Sequence, residues 1–346
     1  MKVFFLLLLV LISGNTVYAE QKAQSFKEML GLAKNESSPD KKIEYLQSAA
    51  KLAKTAGDKQ WVHYQIGITY GEGLGDFYRG FIEVSTAYQL GFTNKAVSAY
   101  INKYTHDPEV RFIDGDSPPL PGNPKIPAGQ FSFILISDTH VLTVLPDSNY
   151  IQLKNKLIES DRFIIINGDL VSSPKDPGNY FRAKELFDSI GLPYYTSIGN
   201  HDSHYGGWFE YKHSFGKSHY SFQAGDLLVI CLDSANGKLG KSQMEWLRDV
   251  LKSKNPGPCV VFSHFPLIGQ PNYIFTNQTD FPEAVKLFEK YEVDWVFAGH
   301  THAHSYVQTN GINYLTSPVF YSQYGKYIRM TYDNGKLEYK LLPLYP

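Results

Sequence analysis

The chain has 346 residues, with 33 Lys plus Arg against 34 Asp plus Glu and a formal net charge of −1. That length suggests about two domains, and 43% apolar with 19% charged residues excludes wholesale disorder. The near-zero charge excludes nucleic acid held by a basic patch, which needs an excess of Lys and Arg. Two cysteines exclude a disulfide scaffold and a four-thiolate zinc site.

At the N-terminus, Lys2 precedes an unbroken apolar run, residues 3–12, then Ser13, Gly14 and Val17-Tyr18-Ala19. The run is too short for a spanning helix of ~20 residues, and the small-x-small ending marks a cleavage site. Residues 1–19 are expected to be a signal peptide and the protein to be exported, periplasmic or secreted. No later apolar run reaches spanning length, so no transmembrane segment is expected. An oxidising compartment permits Cys231 and Cys259 to pair. Each lies in an apolar strand-like run, where cysteine behaves as a small hydrophobe. Free buried thiols are the favoured reading, and pairing stays open.

Residues 20–105 read as a helical module. Leu46, Ala49, Ala50 and Ala53 recur at helical spacing within 41–55, a stretch without Gly or Pro. Gly57 and Asp58 break the pattern, and Trp61, Tyr64, Ile66, Gly67 and Tyr70 begin another. A third runs from Phe77 through Ala87 and Leu90 to Gly91. The alternation loosely resembles about two tetratricopeptide repeats. That resemblance implies close helix packing at Gly67 and core positions at Tyr70 and Ala87. A protein partner for these helices is left open, as is a plain bundle packed on the next domain. Residues 106–130 hold six prolines, three glycines and three aspartates, and are expected to be a linker or wrapping loop.

From residue 131 to 346 the pattern changes. Short apolar runs at 131–136, 163–166, 194–198, 227–232, 259–262 and 293–298 alternate with helical patterns at 150–159, 180–190, 243–254 and 281–291. Such alternation predicts strands buried on both faces and crossover helices, hence an α/β sandwich. Asn310-Gly311 and Asn334-Gly335 predict two tight hairpins near the end.

Five of the runs lead into chemistry. They are followed by Ser137-Asp138-Thr139-His140, Asn167-Gly168-Asp169, Gly199-Asn200-His201-Asp202, Ser263-His264-Phe265-Pro266 and Gly299-His300-Thr301-His302. Ligands in open α/β sheets bind outside the carboxyl ends of strands. The pattern gathers carboxylates, imidazoles and an amide at one sheet edge. This donor set without thiolate suits Mn, Fe or Zn.

The five motifs, in this order, resemble the metallophosphoesterase (calcineurin-like) superfamily over roughly 131–346. The resemblance implies a calcineurin-like αββα sandwich and two divalent or trivalent metal ions. Asp138, His140 and His302 would hold the first metal, and Asn200, His264 and His300 the second. Asp169 would bridge both, and a hydroxide between the metals would attack phosphorus. His201 would stabilise the transition state or protonate the leaving alkoxide, with Asp202 orienting its ring. The implied function is hydrolysis of a small phosphate mono- or diester. The alternative is a helical envelope binding or scaffold protein with a vestigial metal site.

Departures narrow the subclass. Purple acid phosphatases carry a ligating Tyr three residues after the bridging Asp, where this chain has Ser172. Serine/threonine protein phosphatases follow that Asp with Asp-Arg-Gly and have Glu after the His. Here the sequence reads Leu170-Val171-Ser172-Ser173 and Asp202. Leu232-Asp233-Ser234, Gln243, Trp246-Leu247 and Tyr220-Ser221-Phe222 resemble the bacterial branch that includes class III cyclic nucleotide phosphodiesterases. The loops after Asn200 and His264 carry His204, Tyr205, Trp208, Phe209, Tyr273 and Phe275. These aromatics either overhang the metals or simply pack. His304 continues the alternation of His300 and His302, and a supporting or solvent role is expected.

Overall fold

The computed structural model describes residues 25–112, 119–126, 129–142, 148–268 and 280–346. The expected signal peptide, Tyr273 and Phe275 lie outside the described residues. Among the described residues no helix is long and apolar enough to cross a membrane.

Among the described residues six α-helices come first: α1 (Phe26–Asn35), α2 (Pro39–Leu52), α3 (Ala56–Ile68), which runs on into a π-helical turn (Thr69–Gly73), α4 (Phe77–Gln89), α5 (Lys95–Thr105) and α6 (Pro108–Arg111). Their starts are set by local chemistry. Ser25 and Glu28 form a capping box on α1, and Thr55, Asp76, Asn94 and Asp107 each accept a backbone N–H of the turn that follows. Helices α3 and α4 approach closely at Gly67, where a Cβ would stand 2.5 Å from Val84 Cγ2. The first three helices enclose their own small core of Met29, Ala33, Leu46, Ala49, Val62 and Ile66.

The remainder is an αββα sandwich. Its strands are β1 (Phe131–Ile136), β2 (Asp161–Asn167), β3 (Tyr194–Ser197), β4 (Tyr220–Ala224), β5 (Leu227–Leu232), β6 (Cys259–Ser263), β7 (Trp295–Ala298), β8 (Ser305–Thr309), β9 (Ile312–Thr316), β10 (Lys326–Asp333) and β11 (Lys336–Pro343). One sheet has the order β11-β10-β1-β2-β3 and the other β4-β5-β6-β7-β9-β8. Alternation along each strand divides the core. Phe133 and Leu135 of β1 meet Val229, Phe262 and Phe297 between the sheets. Ile134 and Ile136 turn outward. There they meet α7 (Ser148–Lys156), α8 (Pro177–Ile190) and α10 (Trp208–Phe215). The short helix α9 (Asn200–Ser203) precedes a 3₁₀ turn, His204–Gly206. Helices α11 (Lys241–Lys252) and α12 (Phe281–Lys290) cover the second sheet.

Both Asn-Gly hairpins form, with φ of 51° and 81° at Asn310 and Gly311 and 46° and 88° at Asn334 and Gly335. Positive φ at both centres gives the tight turn that matches strand twist. The strand β4 was not expected from the apolar runs. Its burial alternates along Tyr220, Ser221 and Phe222 because only one side faces the core. Cys231 and Cys259 are free and buried. Cys231 sits opposite Phe262 and Cys259 opposite Leu228, and the two thiols belong to different cores.

The stretch read as a linker is built into the fold. Its first residues form α6, and Leu120 and Ile126 pack against the core between the sheets. Arg111 at the end of α6 is fully buried. Its Nε donates to Asp233 at 2.9 and 3.1 Å, Nη1 to the Thr105 carbonyl at 2.8 Å and Nη2 to Asn236 Oδ1 at 2.7 Å. Above it, Phe81 of α4 stacks on Phe209 at 4.8 Å and meets Trp208 edge-on at 5.5 Å. Helices α4 to α6 thus share one core with the outer face of the first sheet.

Candidate metal centre

Parallel strands β1, β2 and β3 of one sheet and β5, β6, β7 and β9 of the other end at the same edge. The five motifs follow these strands, so chain topology alone collects them. Asp138, His140, Asp169 and His302 bring one ligand atom each within 4.8 Å of one another, and Asp169, His264 and His300 do the same. Asp169 belongs to both groups. Its Oδ1 is 3.3 Å from His264 Nε2 and its Oδ2 is 3.8 Å from His140 Nε2. Asn200 Oδ1 lies 3.2 Å from His264 Nε2, which places the amide at the second group. His140 and His302 face each other through Nε2 at 3.1 Å.

The backbone is bent to reach this geometry. Asp138, His140, Asp169, His300 and His302 all have φ between 43° and 65°. Left-handed conformations in non-glycine residues cost free energy and concentrate at functional sites. The carboxylates are oriented by donors. Ser137 Oγ donates to Asp138 Oδ2 at 2.5 Å, as does the His300 N–H at 3.1 Å. The His201 N–H donates to Asp169 Oδ1 at 2.9 Å. His264 Nδ1 donates to the Asn167 carbonyl at 3.0 Å, which turns Nε2 to the centre. Two glycines clear room for these side chains. A Cβ at Gly168 would stand 2.3 Å from His264 Nδ1, and one at Gly199 2.2 Å from Asp169 Oδ1.

The residues fit a pair of cations. Asp138 Oδ1 is buried without a hydrogen-bond partner among the described residues. It faces His302 Nε2 at 3.3 Å. Burial drives His140 and His300 down to about 4, against the pull of Asp138 and Asp169, so both rings are neutral and ready to ligate. Burial also opposes the charge on His264, but the Asp169 carboxylate and its hydrogen bond outweigh it and lift the ring to about 9. A cation must displace that proton. Metal affinity is therefore expected to rise with pH by at least about tenfold per unit up to about pH 9 and then level off. Calorimetric metal titrations in buffers of different ionisation enthalpy check this. Release of at least one proton near pH 7, from His264 and in part from His302, whose ring the Asp138 hydrogen bond also raises, and little near pH 10 is the expected result.

His201 and Asp202 stand apart from the ligand groups. His201 ring contacts that of His140 at 4.7 Å, and its Nδ1 donates to the Ser172 carbonyl at 2.9 Å. The expectation that Asp202 orients this ring is corrected. The Asp202 carboxylate accepts the N–H groups of Leu170, Val171 and Gly199 at 2.8–3.1 Å. It ties the Asp169 loop to the Asn200 loop, and the Ser172 carbonyl orients His201 instead. Burial and the Asp169 charge push Asp202 up to about 7, and the three amides pull the other way.

The aromatic set also divides. Trp208 and Phe209 pack on Phe81, while His204 and Tyr205 stay on the His201 side. His304 rests against Tyr339 at 5.8 Å. Sequence reasoning missed three supports. Phe265 stacks on the His300 ring at 4.0 Å, and Tyr321 meets His140 edge-on at 5.7 Å. Ser234 Oγ accepts the Phe265 N–H at 2.9 Å. Leu232-Asp233-Ser234, read as a branch marker, therefore braces the His264 loop.

The calcineurin-like phosphoesterase family profile matches residues 131–304. The chain is 28% identical over 202 residues to the serine/threonine-protein phosphatase CPPED1 of Danio rerio, covering 51% of this chain and 65% of that protein. It is 27% identical over 166 residues to the probable cyclic nucleotide phosphodiesterase syc0937_d of Synechococcus, covering 44% of this chain and 62% of that protein. The matches thus span just under two thirds of these relatives. Among solved structures, the purple acid phosphatase PPD1 of yellow lupin (Lupinus luteus) superposes with a TM-score of 0.51 at 15% identity. That match covers 65% of this chain and 52% of the lupin chain, a likeness of fold. With over half its length under the family profile and the ligand groups assembled at one sheet edge, the chain belongs to the calcineurin-like phosphoesterase family.

Proposed function

We propose that the protein is an exported, dinuclear metal-dependent phosphoesterase acting on small phosphate mono- or diesters. The observation that carries this reading is the sharing of Asp169 between two nitrogen and oxygen donor groups. Asp138, His140 and His302 would hold one cation, Asn200, His264 and His300 the other, and Asp169 both. Bound Mn, Fe or Zn supplies Lewis acidity toward the phosphoryl group and a water of lowered pKa. The relatives' names cover a protein phosphatase and a cyclic nucleotide phosphodiesterase, which fits a reading open to both ester types. The 3–12 apolar run and Val17-Tyr18-Ala19 support export. Close packing at Gly67 is compatible with both a tetratricopeptide-like arrangement and a plain bundle packed on the next domain.

His201 has the chain's own chemical task. With Nδ1–H fixed on the Ser172 carbonyl, Nε2 is the ring atom left to hand a proton to a leaving alkoxide. His201→Ala is expected to keep both metals and to lower kcat by roughly 10²–10⁴-fold. The loss should be smaller for p-nitrophenyl phosphate, whose phenolate leaves without a proton, than for an alkyl phosphate. Equal losses together with lost metal would make His201 a ligand. The reading as a whole is tested by turnover of p-nitrophenyl phosphate and its bis ester with Mn, before and after chelation. Hydrolysis abolished by chelation and restored by Mn is expected, and no turnover of either ester would defeat it.

A further inference from the structure

A chain of neighbouring imidazoles leads from the metal centre to the helical module. Ring centroids are 5.1 Å apart from His302 to His140 and 4.7 Å from His140 to His201. They are 6.3 Å apart from His201 to His204 and 6.1 Å from His204 to His106. The first three rings belong to the phosphoesterase reading. The last two have no part in it, and His106 follows the last residue of α5.

His106 is held in place with unusual care for a residue outside the sandwich. Arg111 takes the carbonyl of Thr105, and Asn236 Nδ2 donates to the carbonyl of His106 itself. Both clamps are anchored on the loop after β5, through the buried Arg111–Asp233 pair and the Arg111–Asn236 bond. The turn that carries His204 is pressed against the same module. A Cβ at Gly206 would stand 3.1 Å from Ile101 Cγ2 of α5. The backbones of His204 and His106 are thus fixed relative to each other, while His106 as a residue stays exposed. Among the described residues neither ring nitrogen of either histidine carries a hydrogen bond. Desolvation lowers both rings, reinforced at His106 by the Arg111 charge and at His204 by His106, which favours neutral, hydrogen-bonding imidazoles.

We infer that the helical module forms one wall of the substrate cleft and that His106, with His204, binds the leaving group of the ester. This rests on the phosphoesterase reading. An ester with its phosphorus at the metal ligands and its leaving oxygen at His201 runs along the row. Its first ring meets His204 and the exposed Tyr205, and its second meets His106, at about the separation of two linked rings. The neutral imidazoles suit an uncharged, hydroxyl-bearing leaving group. A nucleoside and a disaccharide share that chemistry.

The test compares the unaltered protein with His106→Ala and His106→Asn, loaded with Mn. The esters are p-nitrophenyl phosphate, a nucleoside 5′-monophosphate and a disaccharide phosphate. In His106→Ala, kcat/KM for a two-ring ester relative to p-nitrophenyl phosphate should fall about 5–10-fold, the scale of one lost hydrogen bond. The fall should come through KM at unchanged metal content, and His106→Asn should recover much of it. The two-ring ester that responds identifies the source of the leaving group. An unchanged ratio for both two-ring esters would overturn the inference. So would a fall that tracks lost metal, which makes His106 structural. Hydrolysis of p-nitrophenyl phosphate alone by the unaltered protein would overturn it while leaving the phosphoesterase reading intact. No hydrolysis of any ester would sink that reading first, and the inference with it.

Discussion

Asp169→Ala is expected to empty both cation sites at once and to lower turnover by at least about 10³-fold. Its two oxygens serve His264 on one side and His140 on the other. Its Oδ1 also accepts the His201 N–H. Removing the carboxylate takes a negative charge from both groups and frees the loop that carries His201. The residual donors of each group are then mostly neutral imidazole, a weaker lure for a cation. Metal analysis after gel filtration, alongside p-nitrophenyl phosphate kinetics, reads both effects. Two metals per chain at unaltered occupancy would reject the shared ligand.

Arg111→Ala should be the costliest substitution for stability away from the metal centre. The side chain of Arg111 is 0% exposed and that of Asp233 5%. Truncating one partner of such a pair strands the other charge in the interior, at about 3–5 kcal/mol. It also leaves the Thr105 carbonyl and Asn236 short of a donor. Equilibrium denaturation in urea gives the number. Arg111→Met combined with Asp233→Leu should recover most of the loss, because no uncompensated charge then remains. A loss below about 1 kcal/mol for Arg111→Ala would show that water reaches the pair.

The sandwich and the gathering of its Asp and His side chains at one sheet edge were legible because their signals are local. A strand buried on both faces is a run of apolar residues, and a candidate ligand at its carboxyl end is the next few letters. The Asn-Gly turns were readable for the same reason, since positive φ at two successive residues needs that pair. What stayed hidden depends on distant partners. Arg111 and Asp233 are 122 positions apart, and an arginine in a proline-rich stretch looks like solvent-facing linker. Asp202 was given the wrong partner because its oxygens are satisfied by backbone amides, which carry no letter of their own. Whether Trp208 and Phe209 overhang the cleft or pack stayed open in the sequence, because the surface they pack on, Phe81, comes from another part of the chain. His106 gave no signal either, since it adjoins the metal motifs only through the clamp on α6.

The two thiols carry a consequence for how the protein can be made. Cys231 faces the space between the sheets and Cys259 the helices beyond. Burial pushes the Cys259 thiol up to about 12 and raises Cys231 well above its ordinary value. Thiolate is the species that oxidises or exchanges, and neither residue offers it. With both cysteines free in the folded state, no disulfide has to form, and a chain produced without residues 1–19 in a reducing cytosol is expected to carry the same free thiols as one that has been exported.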